Sequence, residues 1–132
     1  MLDTNILIYL MKRQPIQVAD RMNALSAEDE LCMSFVTYAE LLKGVARSTK
    51  PQSSAKAIAL IIREIPVVFH TNEQTCKRYA VEFSRLKQLG TPICGNDLWI
   101  ACHALSESAV LVTNNTREFA RIPGLLLENW VA

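Results

Sequence analysis

Three acidic residues are the strongest sign of chemistry in this sequence. Asp3 lies in the segment MLDTN, Glu40 in SFVTYAEL and Asp97 in GNDLWIACHAL. Each stands where a short apolar run gives way to a helical pattern, so each is predicted near the end of a strand or in the first turns of the next helix. Open α/β sheets bind ligands at that edge. The sequence therefore predicts that the three carboxylates meet in one crevice.

Each of these acids also has a purely structural explanation. Asp3 could cap a helix, and Glu40 could complete a capping box with Thr37. Asp97 could lie in a first helical turn because the helix dipole favours an anion there. Together, however, three such caps would crowd negative charge into a small volume unless a cation joined them. Carboxylates without thiolate or imidazole select Mg²⁺ or Mn²⁺. Such an ion supports phosphodiester hydrolysis without a histidine base.

The histidines and cysteines of this chain are assigned no chemistry. His70 ends a predicted strand and His103 lies mid-helix beside core residues, so both are interpreted as packing or surface groups. The four cysteines lack CxxC spacing and lie in apolar segments, so we expect buried, reduced thiols. They are Cys32, Cys76, Cys94 and Cys102.

Length and composition bound the class of protein. With 132 residues, half of them hydrophobic, the chain suits one compact domain over 1–132. No apolar run reaches the roughly 18 residues that span a bilayer, and Asp3 stands where a secretory signal would need basic residues, so we expect no membrane contact and a cytoplasmic location. The net charge of +1 does not by itself indicate a nucleic-acid binder. The basic run over 43–63 is typical of a solvated face.

Helical and strand-like patterns alternate along the chain, which predicts an α/β fold with a central, mostly parallel β-sheet flanked by helices in three layers. Capping boxes at Thr37 and Thr71 and an N-cap at Asn96 are predicted to start three of the helices. The segment STKPQSSAK is predicted to be a loop. The predicted strands lie at 31–36, 66–70 and 109–113, with a last edge strand ending near Trp130, and further helices at 4–12, after Pro15, at 57–65 and near 117–121.

Four segments of the chain resemble one known family. LDTN, SFVTYAELLKG, GNDLWIACHAL and LVTNNTREFARIPGLLLENW occur in this order and resemble the PIN-domain ribonucleases of the VapC toxin family. The resemblance covers essentially the whole chain. It implies a three-layer PIN-like domain and an endoribonuclease dependent on Mg²⁺ or Mn²⁺. It also implies the toxin of a type II toxin–antitoxin (VapBC) system.

The same resemblance implies partners. A VapB-type antitoxin would insert its carboxy-terminal segment into the acidic crevice, and operator DNA would be bound only through that antitoxin. Members ending in the TNNTREF and ENW pattern cut initiator tRNA in the anticodon stem-loop, so RNA, and tRNA in particular, is the implied substrate. A homodimer is expected because the apolar faces of two helices, over 38–45 and 57–62, exceed what one core can cover.

Carried over by position, the resemblance makes Asp3, Glu40 and Asp97 the metal ligands and water-positioning acids. Many members have an aspartate where this chain has Asn115, and the nearest acid is Glu118. We assign Glu118 to the catalytic set and leave Asn115 as the alternative. Neutral polar groups near the same strand ends are suited to orienting carboxylates or waters, although helix caps and strand-end hydrogen bonds explain them equally well. They are Asn5, Ser34, Thr37, Asn96, Thr113 and Asn115.

The start of the chain departs from the resembled family. A few apolar residues usually precede LDTN and extend the first central strand, whereas only Met1 and Leu2 do so here. We therefore expect a chain shortened at this end and a trimmed first strand.

Two alternative functions stay open. A phosphatase of the haloacid-dehalogenase type would need a DxD pair, but the second position is Asn5, which cannot donate a proton. A non-catalytic interaction module with the PIN fold is the other alternative. Complete acids at positions 3, 40 and 97 favour a catalyst over such a module.

Overall fold

Short parallel strands form the centre of the protein in the computed structural model, which describes all residues from Met1 to Ala132. Two pairs of strands are hydrogen-bonded in parallel, β1 with β2 and β3 with β4. Their bounds are Met33–Ser34 for β1, Val67–Val68 for β2, Leu111–Val112 for β3 and Leu127–Glu128 for β4. The pairing is shorter than the predicted strands, although each one lies inside its predicted range.

Residues 1–3 join the two pairs into one sheet. The amide of Leu2 donates to the carbonyl of Cys32 at 2.9 Å, and the amide of Asp3 donates to the carbonyl of Val112 at 2.9 Å. Leu2 also forms a parallel bridge with Val112. The spatial order is therefore β2, β1, residues 1–3, β3, β4. Asp3 lies at the carboxyl end of the central segment.

Seven helices surround this sheet and form two hydrophobic cores. Neighbouring strand residues lie in different cores. Met1 and Leu111 belong to one core, and Leu2 and Val112 belong to the other. Successive strand side chains point to opposite faces, so the sheet separates two helical layers. The helices are α1 (Thr4–Lys12), α2 (Ile16–Asn23), α3 (Phe35–Ala46), α4 (Pro51–Glu64), α5 (Glu73–Gln88), α6 (Gly95–Ser106) and α7 (Thr116–Phe119).

The start of α3 differs from the prediction. Ser34 occupies the N-cap position with φ −68° and ψ 149°, and its side chain accepts from the amide of Val36. Thr37 and Glu40 therefore lie inside the helix, and the predicted capping box is wrong. The extended backbone at the end of β1 decides where the helix begins, and Ser34 is the polar residue at that point.

Two other helix starts also differ. Asn72, rather than Thr71, caps α5 by accepting from the amide of Thr75. Helix α6 begins at Gly95 without a side-chain cap, so Asn96 is not the N-cap. The predicted loop STKPQSSAK is wrong over most of its length, because α4 already begins at Pro51, a favoured first helical residue.

The cysteines divide into two kinds. Cys102 is buried and Cys32 partly so, whereas Cys76 and Cys94 are exposed, and all four are free. The prediction of four buried thiols is therefore wrong for two of them. Cys76 lies on the outer side of α5 and Cys94 in the turn before α6. None of the seven helices has the length and apolar content required to cross a membrane.

Candidate active site

Asp3 is fixed at the carboxyl end of the central segment. One carboxylate oxygen accepts from the amide of Thr4 at 2.8 Å and the other from the hydroxyl of Thr113 at 2.8 Å. Burial raises the pKa of Asp3, the hydrogen bonds from Thr113 and Thr4 oppose that rise, and the charge of Glu40 adds to it. Asp3 thus caps α1 and belongs to an acidic cluster at the same time.

Asp97 lies in the first turn of α6 beside the other acids. Its pKa is raised to about 6, first by burial and then by the negative charges of Asp3, Glu40 and Glu118. Charges act strongly in this way only over short distances. The fold therefore brings four carboxylates from distant parts of the chain into one region, which we call the acidic cluster.

Glu40 extends from α3 toward the start of α1. Its Oε1 accepts from the hydroxyl of Thr4 at 2.7 Å. Thr4 consequently holds two acids, Asp3 through its amide and Glu40 through its hydroxyl. Thr4 was not among the residues predicted from the sequence to belong to the site. Its position directly after Asp3, with a hydroxyl at the first helical residue, was the available signal.

Asn115 and Glu118 act as a pair. The amide nitrogen of the Asn115 side chain donates to Glu118 Oε2 at 2.9 Å, and the backbone amide of Asn115 donates to the hydroxyl of Thr113 at 3.0 Å. Thr113 in turn donates to Asp3. A continuous chain of hydrogen bonds thus runs from Glu118 to Asp3. Both residues weighed for the fourth position belong to this chain.

The remaining predicted polar residues have different surroundings. Ser34 is hydrogen-bonded to the amide of Val36 and to His103, so it serves as a helix cap, the structural alternative, and faces no carboxylate. Thr37 is fully buried, and its hydroxyl has no hydrogen-bond partner. Asn5 is exposed near the start of α1, and Asn96 is exposed at the rim of a cavity that Glu40 also lines.

His103 links elements and lies outside the acidic cluster. Its Nδ1 lies 2.8 Å from the hydroxyl of Ser34, and its Nε2 lies 3.0 Å from the carbonyl of His70. A carbonyl can only accept, so Nε2 carries the proton and Nδ1 accepts from Ser34. Burial lowers the pKa of His103, which keeps the ring neutral. His70 is exposed and pairs with Glu107, so the interpretation of both histidines as packing or surface groups is confirmed.

None of the four acids has a cationic partner in the protein. The five ion pairs of the chain leave out all four. Their combined negative charge therefore stays uncompensated, although burial makes that charge costly. A divalent cation is the chemical species that would relieve it.

The donor set fits a hard divalent ion bound through few protein ligands. No three histidine, cysteine, aspartate or glutamate side chains are grouped closely enough to ligate one ion. Mg²⁺ commonly binds through one or two carboxylates and keeps several waters. An all-oxygen set also favours Mg²⁺ or Mn²⁺ over zinc. Asp3 and Asp97, whose negative charges act on each other in the fold, would be the protein ligands of such an ion.

The sequence model that describes the PIN-domain family matches residues 1–125 of this chain. The chain belongs to the PIN-domain family. Ribonuclease VapC1 of Haemophilus influenzae is 50% identical over 130 residues, which cover 98% of this chain and 96% of that protein. The tRNA(fMet)-specific endonuclease VapC of Salmonella typhimurium is 34% identical over 98% of this chain and 96% of its own length. These identities place the chain in the VapC branch of the PIN family.

Solved structures agree with this membership. VapBC-1 from nontypeable Haemophilus influenzae matches with a TM-score of 0.90 and 49% identity, over 100% of this chain and 98% of that one. VapBC2 from Rickettsia felis, bound to a DNA fragment from its promoter, matches with a TM-score of 0.90 and 34% identity, over 98% and 97%. The predicted α/β PIN-like fold is confirmed. The haloacid-dehalogenase alternative is wrong, because the chain is a PIN-domain protein.

Proposed function

We propose that this PIN-domain protein is a Mg²⁺- or Mn²⁺-dependent endoribonuclease and the toxin of a toxin–antitoxin module. The observation that carries the proposal is the acidic cluster, in which four carboxylates approach one another without a cationic partner. The names of the VapC relatives support the same activity.

The residues of the acidic cluster would have two roles, metal binding and orientation of the attacking water. Asp3, held by Thr4 and Thr113, would hold the ion together with Asp97. When bound, the ion supplies an activated water and neutralises negative charge on the phosphate. Glu40 and Glu118, each held by one hydrogen bond, have a second carboxylate oxygen free to orient a water and accept its proton.

We propose the anticodon stem-loop of initiator tRNA as the substrate, which would place the activity in the cytoplasm. Relatives of this chain are named tRNA(fMet)-specific endonucleases, and they are 34% and 35% identical to it. The TNNTREF and ENW pattern at the end of the chain supports the same choice.

The activity is tested with purified protein and initiator tRNA, with elongator tRNAs for comparison. Cleavage in the anticodon loop is expected with Mg²⁺ or Mn²⁺ and should stop with a chelator. Asp97→Asn should slow cleavage by about 100-fold or more, since even outer partners of a metal site contribute 10–100-fold. Asp20→Asn, an exposed acid on α2, is the matched control. No metal-dependent cleavage by the native protein would favour the non-catalytic interaction module.

We further propose that a VapB-type antitoxin occupies the apolar groove between α1, α3 and α4. This groove has a volume of about 590 Å³, and Glu40 is among the residues lining it. A protein segment lying along the groove would therefore reach the acidic cluster and block it. Structures similar to this chain are VapBC complexes, two of them with bound DNA, which supports operator binding through the antitoxin.

Gly44 offers a direct test of the antitoxin groove. It lines the groove, and a Cβ added there would meet no atom within 4 Å. Gly44→Trp should therefore fold, retain ribonuclease activity and bind a VapB-type antitoxin at least about 10-fold more weakly, because the indole occupies the groove. Ala46→Trp, exposed on the same helix and outside the groove, is the control. Equal antitoxin affinity of the two variants in calorimetry would contradict this placement.

A further inference from the structure

A small cavity opens between the first turns of α3 and α6, on the rim of the acidic cluster. Its volume is about 230 Å³, and Glu40 is one of its lining residues. The other five lining residues divide into an apolar wall and a polar rim, with Phe35, Val36 and Ala39 in the wall and Lys43 and Asn96 at the rim. We call it the Phe35 cavity. Whatever enters it lies next to Glu40, a member of the acidic cluster.

The aromatic ring in the wall of the Phe35 cavity packs on a second ring, which is buried. The Phe35 ring packs on the His103 ring, with centroids 5.5 Å apart and an interplanar angle of 58°. His103 is buried and is hydrogen-bonded through both ring nitrogens. A preset aromatic ring loses little freedom when it stacks on a ligand. Stacking on aromatic side chains is how proteins bind the unpaired bases of RNA.

The polar rim has the groups that a nucleotide would need. Asn96 is exposed and caps no helix, so its amide can both donate to and accept from the edge of a base. Lys43 is exposed and belongs to none of the five ion pairs of the chain. A free ammonium group beside a cluster of acids can contact the RNA phosphates that the acids themselves would repel.

We propose that the Phe35 cavity binds one unpaired nucleobase of the RNA, adjacent to the phosphate that is cleaved. The base stacks against Phe35, Asn96 reads its edge, and Lys43 contacts a neighbouring phosphate. This inference rests on the proposed ribonuclease function and deepens it. It makes the enzyme select single-stranded or loop RNA, because a base within a helix cannot enter the cavity.

A side chain of the antitoxin is the competing occupant. The larger groove, between α1, α3 and α4, already has the size and apolar lining for a protein segment. The Phe35 cavity is smaller and combines an aromatic wall with a free lysine and a free amide. That combination favours a nucleotide.

Filling the cavity tests the proposal. Ala39 is exposed in the cavity wall, so Ala39→Phe should fold while it blocks the space; Ala46→Phe on the same helix is the control. Both are compared with the native protein on RNA stem-loops that are intact or lack the base on one side of the cleaved bond. We expect cleavage of intact RNA by the Ala39→Phe protein to slow by about 10-fold, mainly through KM. We call the base beside the cleaved bond that enters the cavity the critical base. Its removal from the RNA should slow cleavage by the native protein by the same factor, and should slow cleavage by the Ala39→Phe protein no further.

A second variant tests recognition of the base edge. Asn96→Ala should cleave RNA but lose discrimination among the four bases at the critical position, measured with stem-loops that differ there alone. The proposal would be overturned if both variants cleaved RNA at the rate of the native protein and with the same base preference. So would a loss of antitoxin binding in the Ala39→Phe protein with unchanged RNA cleavage, since the cavity would then hold a protein side chain.

Failure of the proposed function gives a different result. If the native protein cleaves no RNA under any metal condition, the ribonuclease proposal fails, and the cavity is then judged by fluorescence anisotropy with the same stem-loops. The proposal would be supported if the native protein bound RNA lacking the base about 10-fold more weakly than intact RNA, and if the Ala39→Phe protein bound intact RNA about 10-fold more weakly than the native protein does. Equal binding in all combinations would overturn it.

Discussion

At the scale of single residues, Asp97 lowers the stability of the metal-free protein. Its pKa rises from 3.8 to about 6 in the fold. The native protein therefore binds the Asp97 proton more tightly than the unfolded chain does. Above pH 6 the ionised carboxylate disfavours the metal-free fold, because burial and three neighbouring acids oppose its charge.

Replacing Asp97 by Asn should stabilise the metal-free protein at neutral pH. The destabilisation from Asp97 grows between pH 3.8 and about 6 and is constant above that range. Asp97→Asn removes it and should raise the free energy of unfolding at pH 7.5 by about 1 kcal/mol, a value reduced for the solvent screening of a partly exposed group. The measurement is urea unfolding of both proteins between pH 4 and 8 in the presence of a chelator.

The matched control is Asp20→Asn, an exposed acid on α2 that belongs to no ion pair. It should leave the pH profile of stability unchanged. With Mg²⁺ or Mn²⁺ the ranking should reverse, because the ion stabilises only the protein that retains the ligand. An Asp97→Asn protein less stable than the native one without metal would contradict the electrostatic account.

At the scale of elements, hydrogen bonds from the end of β3 organise the acidic cluster. The Thr113 hydroxyl accepts from the amide of Asn115 and donates to Asp3, and Asn115 then holds Glu118. One buried hydroxyl therefore connects β3, the central segment and the start of α7. A strand end supplies this geometry because its last side chain points into the crevice where the neighbouring strand also ends.

Thr113→Val should weaken both the fold and the site. Valine has a similar shape but leaves an oxygen of Asp3 and the amide of Asn115 without their partner. We expect a loss of about 1–3 kcal/mol in the free energy of unfolding, the range for unsatisfied buried polar groups. Affinity for Mn²⁺, measured by calorimetry, should fall by about 10–100-fold because the ligand loses its orientation.

Thr71→Val is the control for this change, since Thr71 is exposed and precedes α5 without capping it. Its effect on stability should stay within about 0.5 kcal/mol. If Thr113→Val bound Mn²⁺ as tightly as the native protein, Asp3 would not depend on Thr113 for its position.

At the scale of the whole molecule, the apolar surface decides the assembly. The two apolar faces over 38–45 and 57–62 are covered only in part: Leu41 and Ile58 are buried in the same core, whereas Leu42 is 44% exposed. Together with Phe69, which follows β2, the uncovered part of α3 forms an apolar patch of Leu42, Tyr38 and Phe69. Phe69 is 67% exposed, and the ring centroids of Tyr38 and Phe69 are 5.9 Å apart.

A homodimer through this patch stays our prediction. In sedimentation equilibrium without antitoxin, the native protein should show twice the chain mass of 14.8 kDa. The double variant Leu42→Glu, Phe69→Ser should be monomeric, because charge in an apolar interface is not compensated. Leu60→Glu, which changes a leucine 63% exposed on α4, is the control and should stay dimeric. A native monomer, or a dimeric double variant, would refute the prediction.

Residue types and their order along the chain determined much of this protein. The positions of Asp3, Glu40 and Asp97 after apolar runs predicted a common edge of a parallel sheet. The four segments LDTN, SFVTYAELLKG, GNDLWIACHAL and LVTNNTREFARIPGLLLENW indicated the family. Local periodicity was sufficient to predict the order of strands and helices, because strands bury alternating side chains and helices bury helically spaced ones. The same local patterns misplaced the helix starts at Thr37, Thr71 and Asn96.

Tertiary structure alone decided which groups hold the acids. The Thr4 hydroxyl meets a carboxylate 36 positions away, and the Thr113 hydroxyl meets one 110 positions away. Ser34 has the same residue type and a similar position at a strand end, yet it faces His103 and not an acid. A hydroxyl can bond in several directions, and only the packing of elements distant in sequence determines which partner comes within about 3 Å.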